Sequence, residues 1–209
     1  MVQVTRPAVV SGDSARSDRR RNRDRLLDAA GDLIRSDPDS VTIVAVAEAA
    51  GLSTATAYRH FPSVHDLGEA YLLRVVLALG SFTRGSQAIG GVDFESAAGE
   101  WGRLVTTHGA AMVHLRSRRG LLERLADNDR IITAVRDAWQ PPITALMNDL
   151  GIDPGHFPLA LLLCNALLDP REILDLTRHG LTTGQALQVL TAAFNGALQT
   201  LANHPLLLA

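Results

Sequence analysis

Apolar residues in this 209-residue chain recur at helical spacing and nowhere sustain the alternation of a strand, so the pattern predicts an all-α protein. Residues 1 to about 17 carry no such period, and their Ser, Gly, Pro and Arg content reads as a flexible arm. From Asp18 the pattern changes. Leu26, Leu27, Ala30, Leu33 and Ile34 mark one face of a helix, which Ser36-Asp37-Pro38-Asp39 ends. Thr42 is placed to cap a short second helix with an inward face of Ile43, Val46, Ala47 and Ala50, closed by Gly51. Ser53 caps a third, from Thr54 to about Phe61, before Pro62. Only Gly51-Leu52-Ser53 separates the two short helices. A three-residue turn containing glycine between helices is the helix-turn-helix arrangement, whose second helix is presented to the major groove of DNA.

Beyond Val64 the pattern stays helical, with helices predicted at about 66 to 84, 93 to 116, 119 to 126, 129 to 139, 142 to 150, 157 to 168, 170 to 178 and 182 to 203. Gly80, Gly85, Gly90 and Gly91 punctuate the first connection, and Pro141-Pro142 predicts a break, since neither residue donates a backbone hydrogen bond. The two most apolar helices come last. Ala186, Leu187, Leu190, Ala193, Phe194, Ala197, Leu198 and Leu201 form a wide face containing small residues, which suits close packing on another helix, including one from a second subunit.

Composition adds compartment and class. Hydrophobic residues at 46% against 20% charged place the chain among folded globular proteins rather than disordered ones. The single cysteine, Cys164, cannot form an intrachain disulfide and sits in an apolar run, which fits a reducing compartment. No apolar stretch approaches the roughly 20 residues a bilayer span requires, and the N-terminus is polar where a signal peptide is apolar. The expectation is a cytoplasmic protein with no membrane partner. All 20 basic residues are arginine, which forks well onto phosphate. The net charge of −2 hides an asymmetry: residues 14 to 25 hold six arginines against two aspartates, whereas residues 66 to 209 hold 11 arginines against 14 acids. The basic footprint lies beside the helix-turn-helix.

The string from Thr42 to Leu67 carries a more specific signal. Gly51-Leu52-Ser53 followed by Tyr58, His60, Phe61 and Ser63 at fixed offsets closely resembles the DNA-binding domain of the TetR family of bacterial transcriptional regulators, within a match spanning residues 22 to 71. The resemblance implies a homodimer with an N-terminal DNA reader and a larger helical C-terminal domain. That domain's core would bind a small molecule, and its last two helices would form the dimer interface. The organisation expected is a flexible arm over 1–17, a DNA-binding domain over 18–65, and an effector-binding and dimerisation domain over 66–209. Val64 stands where the family commonly has a phosphate-holding lysine, so His65 or the arginine-rich arm is expected to compensate.

Candidate DNA contacts follow from both lines of reasoning. Thr42 and Ser53 cap helices and sit at N-termini, where free N–H groups attract phosphate. Thr54, Ala55 and Thr56 occupy the first turn of the recognition helix, where small exposed residues can meet thymine methyls and base edges. By the resemblance, Tyr58 and His60 hold phosphates. Arg19, Arg20, Arg21 and Arg23 read either as a solvated charge run or as an arm on DNA, and the adjoining helix-turn-helix favours the arm.

The C-terminal region offers a hydrophobic pocket lined by Trp101, His108, Met112, Trp139, Met147 and Asn165. His108 falls on an otherwise apolar face, where a histidine more often completes a core than binds a ligand. Aromatic residues at 4% favour an aliphatic cavity for a small hydrophobic effector over an aromatic cage. No phosphate loop, zinc spacing or catalytic constellation occurs, so neither an enzyme, a cofactor nor a metal is expected. The function predicted is a ligand-responsive repressor binding an inverted-repeat operator. An activator of the same family and a helical protein-binding adaptor are the alternatives.

Overall fold

Leu26, Leu27, Ala30 and Ile34 are at most 3% exposed, and the helix they anchor, α1 (Ser11–Ser36), forms the first wall of the N-terminal core. The computed structural model of the protein describes residues 11–87, 91 and 93–203; residues 1–10 of the predicted arm and Gly90 lie outside them. The predicted arm is corrected over 11–17, where the chain is already helical. The periodicity could not reveal this: residues 14–20 are exposed, so they leave no apolar stripe, and the side-chain support observed there is local, as in the pair Asp18–Arg21 at 2.6 Å.

A short 3-10 turn (Pro38–Ser40) leads to α2 (Ile43–Ala49) and α3 (Thr54–His60). Ile43, Val46, Ala47 and Ala57 pack inward with Phe61, which caps the end of α3. Ser63 starts α4 (Val64–Gln87) by a reciprocal cap, accepting from the Asp66 amide at 3.1 Å and donating to its carboxylate at 2.6 Å. The helix therefore begins two residues before the predicted position. The chain divides into two compact units, one ending at Gly68 and the other beginning at Glu69.

In the second unit α4 is followed by α5 (Phe94–His114), α6 (Leu121–Ala126), α7 (Arg130–Asp149), α8 (Phe157–Leu167), α9 (Pro170–Arg178) and α10 (Thr183–Asn203). No strand forms among the described residues, and no helix among them is long and apolar enough to cross a membrane. The predicted break at Pro141-Pro142 is overturned, because both prolines lie inside α7. The reason is the stripe Ile132, Ala138, Trp139, Pro142, Ile143 and Met147, which stays in helical register across the prolines and is buried throughout. An interior proline costs roughly 3 kcal/mol through its missing hydrogen bond and its ring's clash with the preceding turn, and two of them are offset by burial of Ile132, Trp139, Ile143 and Met147 at about 1.5–3 kcal/mol each.

α5 is the spine of this unit, packing on α7, α9 and α10. Asp93 caps its start, and Gly102 and Gly109 let its neighbours approach: a Cβ at Gly102 would overlap Leu187 Cδ1, and one at Gly109 would lie 3.0 Å from Leu174 Cδ1. Gly99, on the exposed side, has nothing within 4 Å of such a Cβ. The two positions are expected to respond with opposite sign. Gly102→Ala should lower stability, its overpacking of about 1–3 kcal/mol exceeding the helix-propensity gain, whereas Gly99→Ala should gain up to about 1 kcal/mol. Urea midpoints at constant m-value measure both.

Asp169 pins the far end of this packing. It is 5% exposed, accepts the Arg171 amide at 2.9 Å to cap α9, and pairs with Arg116 beyond the end of α5.

Candidate nucleic-acid interface

The helix-turn-helix is built from its caps. Thr42 Oγ1 accepts the Ala45 amide at 3.1 Å, and Ser53 Oγ accepts the Thr56 amide at 3.2 Å, so both short helices start at residues whose side chains satisfy an otherwise orphaned donor. Between them Gly51 adopts φ +62°, a conformation that side chains resist. Arg25 locks the turn from α1 by donating to the carbonyls of Ala50 and Gly51.

This frame leaves the first turn of α3 outward. Ser53, Thr54 and Ala55 are exposed and Thr56 is half-buried, while Ala57 turns into the core. The Thr56 hydroxyl is engaged within the protein, 2.9 Å from Ser53 Oγ and accepting from Arg59 at 3.0 Å. Thr54 and Ala55 are thus the more available of the three predicted base readers. Tyr58 is 49% exposed on the same helix, and Val44 and Val64 are large apolar side chains left open to solvent nearby in the sequence.

A cationic cluster forms at the other end of α3. His60 is half-buried against Phe61, whose ring also carries the Arg23 guanidinium 4.8 Å from its centroid. Burial, reinforced by the charges of Arg19, Arg23 and Arg59, holds the imidazole below its ordinary pKa. Arg59, absent from the predicted contacts, belongs to this cluster; its place one residue before His60 was the available signal. The predicted arm arginines do not act as a set: Arg19, Arg20 and Arg23 lie along one side of α1, whereas Arg21 turns back to Asp18.

The predicted pocket residues are also dispersed in role. Trp101, Met112, Trp139 and Met147 are buried, and the two tryptophan rings meet edge to face with centroids 6.2 Å apart. Trp101 Nε1 donates to the Leu168 carbonyl at 2.8 Å, and Trp139 joins Phe94 and Phe194 in an aromatic cluster. His108 is half-buried and shares a 2.7 Å hydrogen bond with the hydroxyl of Tyr71, which is fully buried. Asn165 is half-buried on α8 beside Cys164, whose thiol burial pushes far above its ordinary pKa. No cluster of His, Cys, Asp and Glu capable of holding a metal occurs among the described residues.

Comparison with known proteins places this geometry. The sequence profile of bacterial regulatory proteins of the tetR family matches residues 26–71, from the first buried leucine of α1 into α4. No curated protein sequence matches the chain at a significant level. The fold is similar to that of a TetR-family transcriptional regulator from Streptomyces coelicolor, with a TM-score of 0.60 and 21% identity over 88% of this chain and 82% of that one. It is also similar to a chain assigned to the TetR-family transcriptional regulators from Mesorhizobium loti, with a TM-score of 0.53 and 16% identity over 88% of this chain and 97% of that one. Residues 26–71 thus match the N-terminal domain of the tetR family of bacterial regulatory proteins, and the fold of the chain is similar to that of TetR-family regulators.

Proposed function

We propose that the protein is a non-enzymatic, sequence-specific transcriptional repressor of the cytoplasm, which binds an inverted-repeat operator as a homodimer and is released by a small hydrophobic effector. The observation that carries this reading is the first turn of α3. Small residues are held outward there by two satisfied caps, next to exposed Tyr58 and a cluster of Arg19, Arg23, Arg59 and His60. An outward face of Thr54 and Ala55 has no core to fill, and such residues suit thymine methyls and base edges. In this reading residues 18–65 read DNA and residues 66–209 bind the effector and the second subunit. Selection from a random-sequence duplex pool should return an inverted repeat with half-sites about 34 Å apart or a multiple of it. A pool that stays unenriched contradicts the proposal.

Effector binding has its own readout. Trp101 and Trp139 are the only tryptophans and touch one another inside the second unit. A hydrophobic compound that releases the selected duplex should therefore change the protein's fluorescence, and Trp101→Leu should remove part of that change. Release with no change in emission would place the effector elsewhere.

A further inference from the structure

α1 is longer than the core it serves. Arg16, Arg19, Arg20 and Arg23 recur at i, i+3, i+4 and i+7 and so share one side of the helix, the side that continues into Leu26, Leu27, Ala30 and Ile34. That side is buried from Leu26 onward, half-buried at Arg23, and exposed at Arg16, Arg19 and Arg20. An apolar face thus turns cationic where the core stops, and it overhangs by about 10 Å at 1.5 Å per residue. The remaining arginines of the helix serve the protein itself: Arg21 pairs with Asp18, Arg35 with Asp32, and Arg25 holds the carbonyls at the α2–α3 turn. Among the described residues no ion pair engages Arg16, Arg19, Arg20 or Arg23.

At the outer end Ser14, Arg16, Ser17 and Arg20 line one shallow depression, setting two hydroxyl donors beside two guanidiniums. That donor set suits a tetrahedral oxyanion, which only accepts hydrogen bonds. At the inner end Arg19 and Arg23 join Arg59 and His60 of α3. The helical state limits how such a surface can meet DNA: an α-helix with side chains is about 10–12 Å across and the minor groove about 6 Å wide, so the overhang cannot enter that groove as a flexible arm would.

We propose that the overhanging face of α1 is a rigid clamp on the phosphate backbone of duplex DNA, with Ser14, Arg16, Ser17 and Arg20 holding a phosphate outside the base pairs read by α3. The clamp rests on the DNA-binding reading and deepens it. It adds affinity for any sequence and adds no sequence preference.

The test titrates the full chain, and its Arg16→Ala/Arg20→Ala variant, with the pool-selected duplex and a scrambled duplex between about 50 and 200 mM salt. Losing two phosphate contacts should flatten the slope of log affinity against log salt by about 1.8, equivalent to a roughly tenfold smaller fall in affinity across that range, with the selected-to-scrambled ratio unchanged. Ser17→Pro keeps every arginine but interrupts the helix outside the core. The clamp requires it to lose affinity for both duplexes without a change in melting temperature. Selective binding by the wild type with an unchanged slope in the double variant overturns the clamp and leaves the function standing. A double variant that binds both duplexes normally but no longer binds vesicles of anionic phospholipid assigns the face to a lipid surface and also overturns it. Wild-type affinity in Ser17→Pro overturns the rigid geometry. Equal affinity of the wild type for both duplexes removes the DNA reading on which the clamp depends.

Discussion

Ala193→Arg is expected to make the protein a monomer and to lower its affinity for the selected duplex about a hundredfold or more, because two linked half-site contacts become one. α10 has two faces. Leu187, Thr191, Phe194 and Leu198 are buried within the second unit, whereas Val189, Ala192, Ala193 and Gly196 are exposed, Val189 to 55%. On α8, Leu159, Leu162 and Leu163 are half-buried and Ala166 is exposed. Small residues along an exposed apolar strip allow close approach of a second helix, and a two-fold interface presents every substitution twice. A guanidinium placed there would be desolvated without a partner, at a cost of several kcal/mol. The side chain points away from the protomer's own core, so the variant should fold. Sedimentation of wild type and variant decides the point: unchanged mobility of Ala193→Arg would place the interface elsewhere.

The residues of α3 are expected to fail in two distinct ways. Tyr58→Phe removes an exposed hydroxyl whose proposed partner is a phosphate, and a hydrogen bond to a charged group is worth about 1.5–3 kcal/mol. The loss should be equal for every sequence, as should the loss in His60→Ala. Thr54→Ala removes the exposed hydroxyl of the first turn and should relax preference at one base pair per half-site by about 1–3 kcal/mol. Thr56→Ala should do more to α3 than to readout, since its hydroxyl already joins Ser53 and Arg59.

His60 adds a pH signature. In the free protein, burial and then Arg19, Arg23 and Arg59 depress its pKa, so the neutral form is favoured. A phosphate on the ring favours the charged form and raises the pKa in the complex. Extra affinity should therefore be fully present below the free-protein pKa and be lost as pH rises through the higher pKa of the complex. His60→Ala should abolish that part of the pH dependence. A variant retaining the wild-type pH profile would detach His60 from the DNA.

The helix-turn-helix was legible because its signals are local. Thr42, Gly51 and Ser53 act on backbone within three residues of themselves, and the caps and turn stand where the residue types required. Two features escaped for opposite reasons. α7 contains two prolines, a strong local stop signal, yet its buried stripe runs through them, so tertiary packing outweighed the local rule. Residues 14–20 of α1 are exposed, so hydrophobic periodicity carried no information about them. In the second unit the sequence grouped Trp101, Trp139 and Met147 as lining for a pocket, but carried no sign that Phe94 and Phe194 would stack with centroids 4.6 Å apart or that Tyr71 would bond His108, contacts spanning 37 to 100 residues. Pairing at that range has no periodic trace in one sequence. The caps and turn of the helix-turn-helix were therefore readable residue by residue, whereas the inner contacts of the second unit were not.

The most direct test of the account is the affinity of the wild-type protein for the pool-selected inverted repeat relative to a scrambled duplex of the same length and composition, at one stated salt concentration near 150 mM. Sequence-specific regulators prefer their sites by about 10³-fold or more, and a ratio of that order, falling in Thr54→Ala and holding in Tyr58→Phe, is the result expected here. Equal affinity for the two duplexes, with no loss in Tyr58→Phe, would contradict the regulator reading and make a protein-binding adaptor the better account of the same fold.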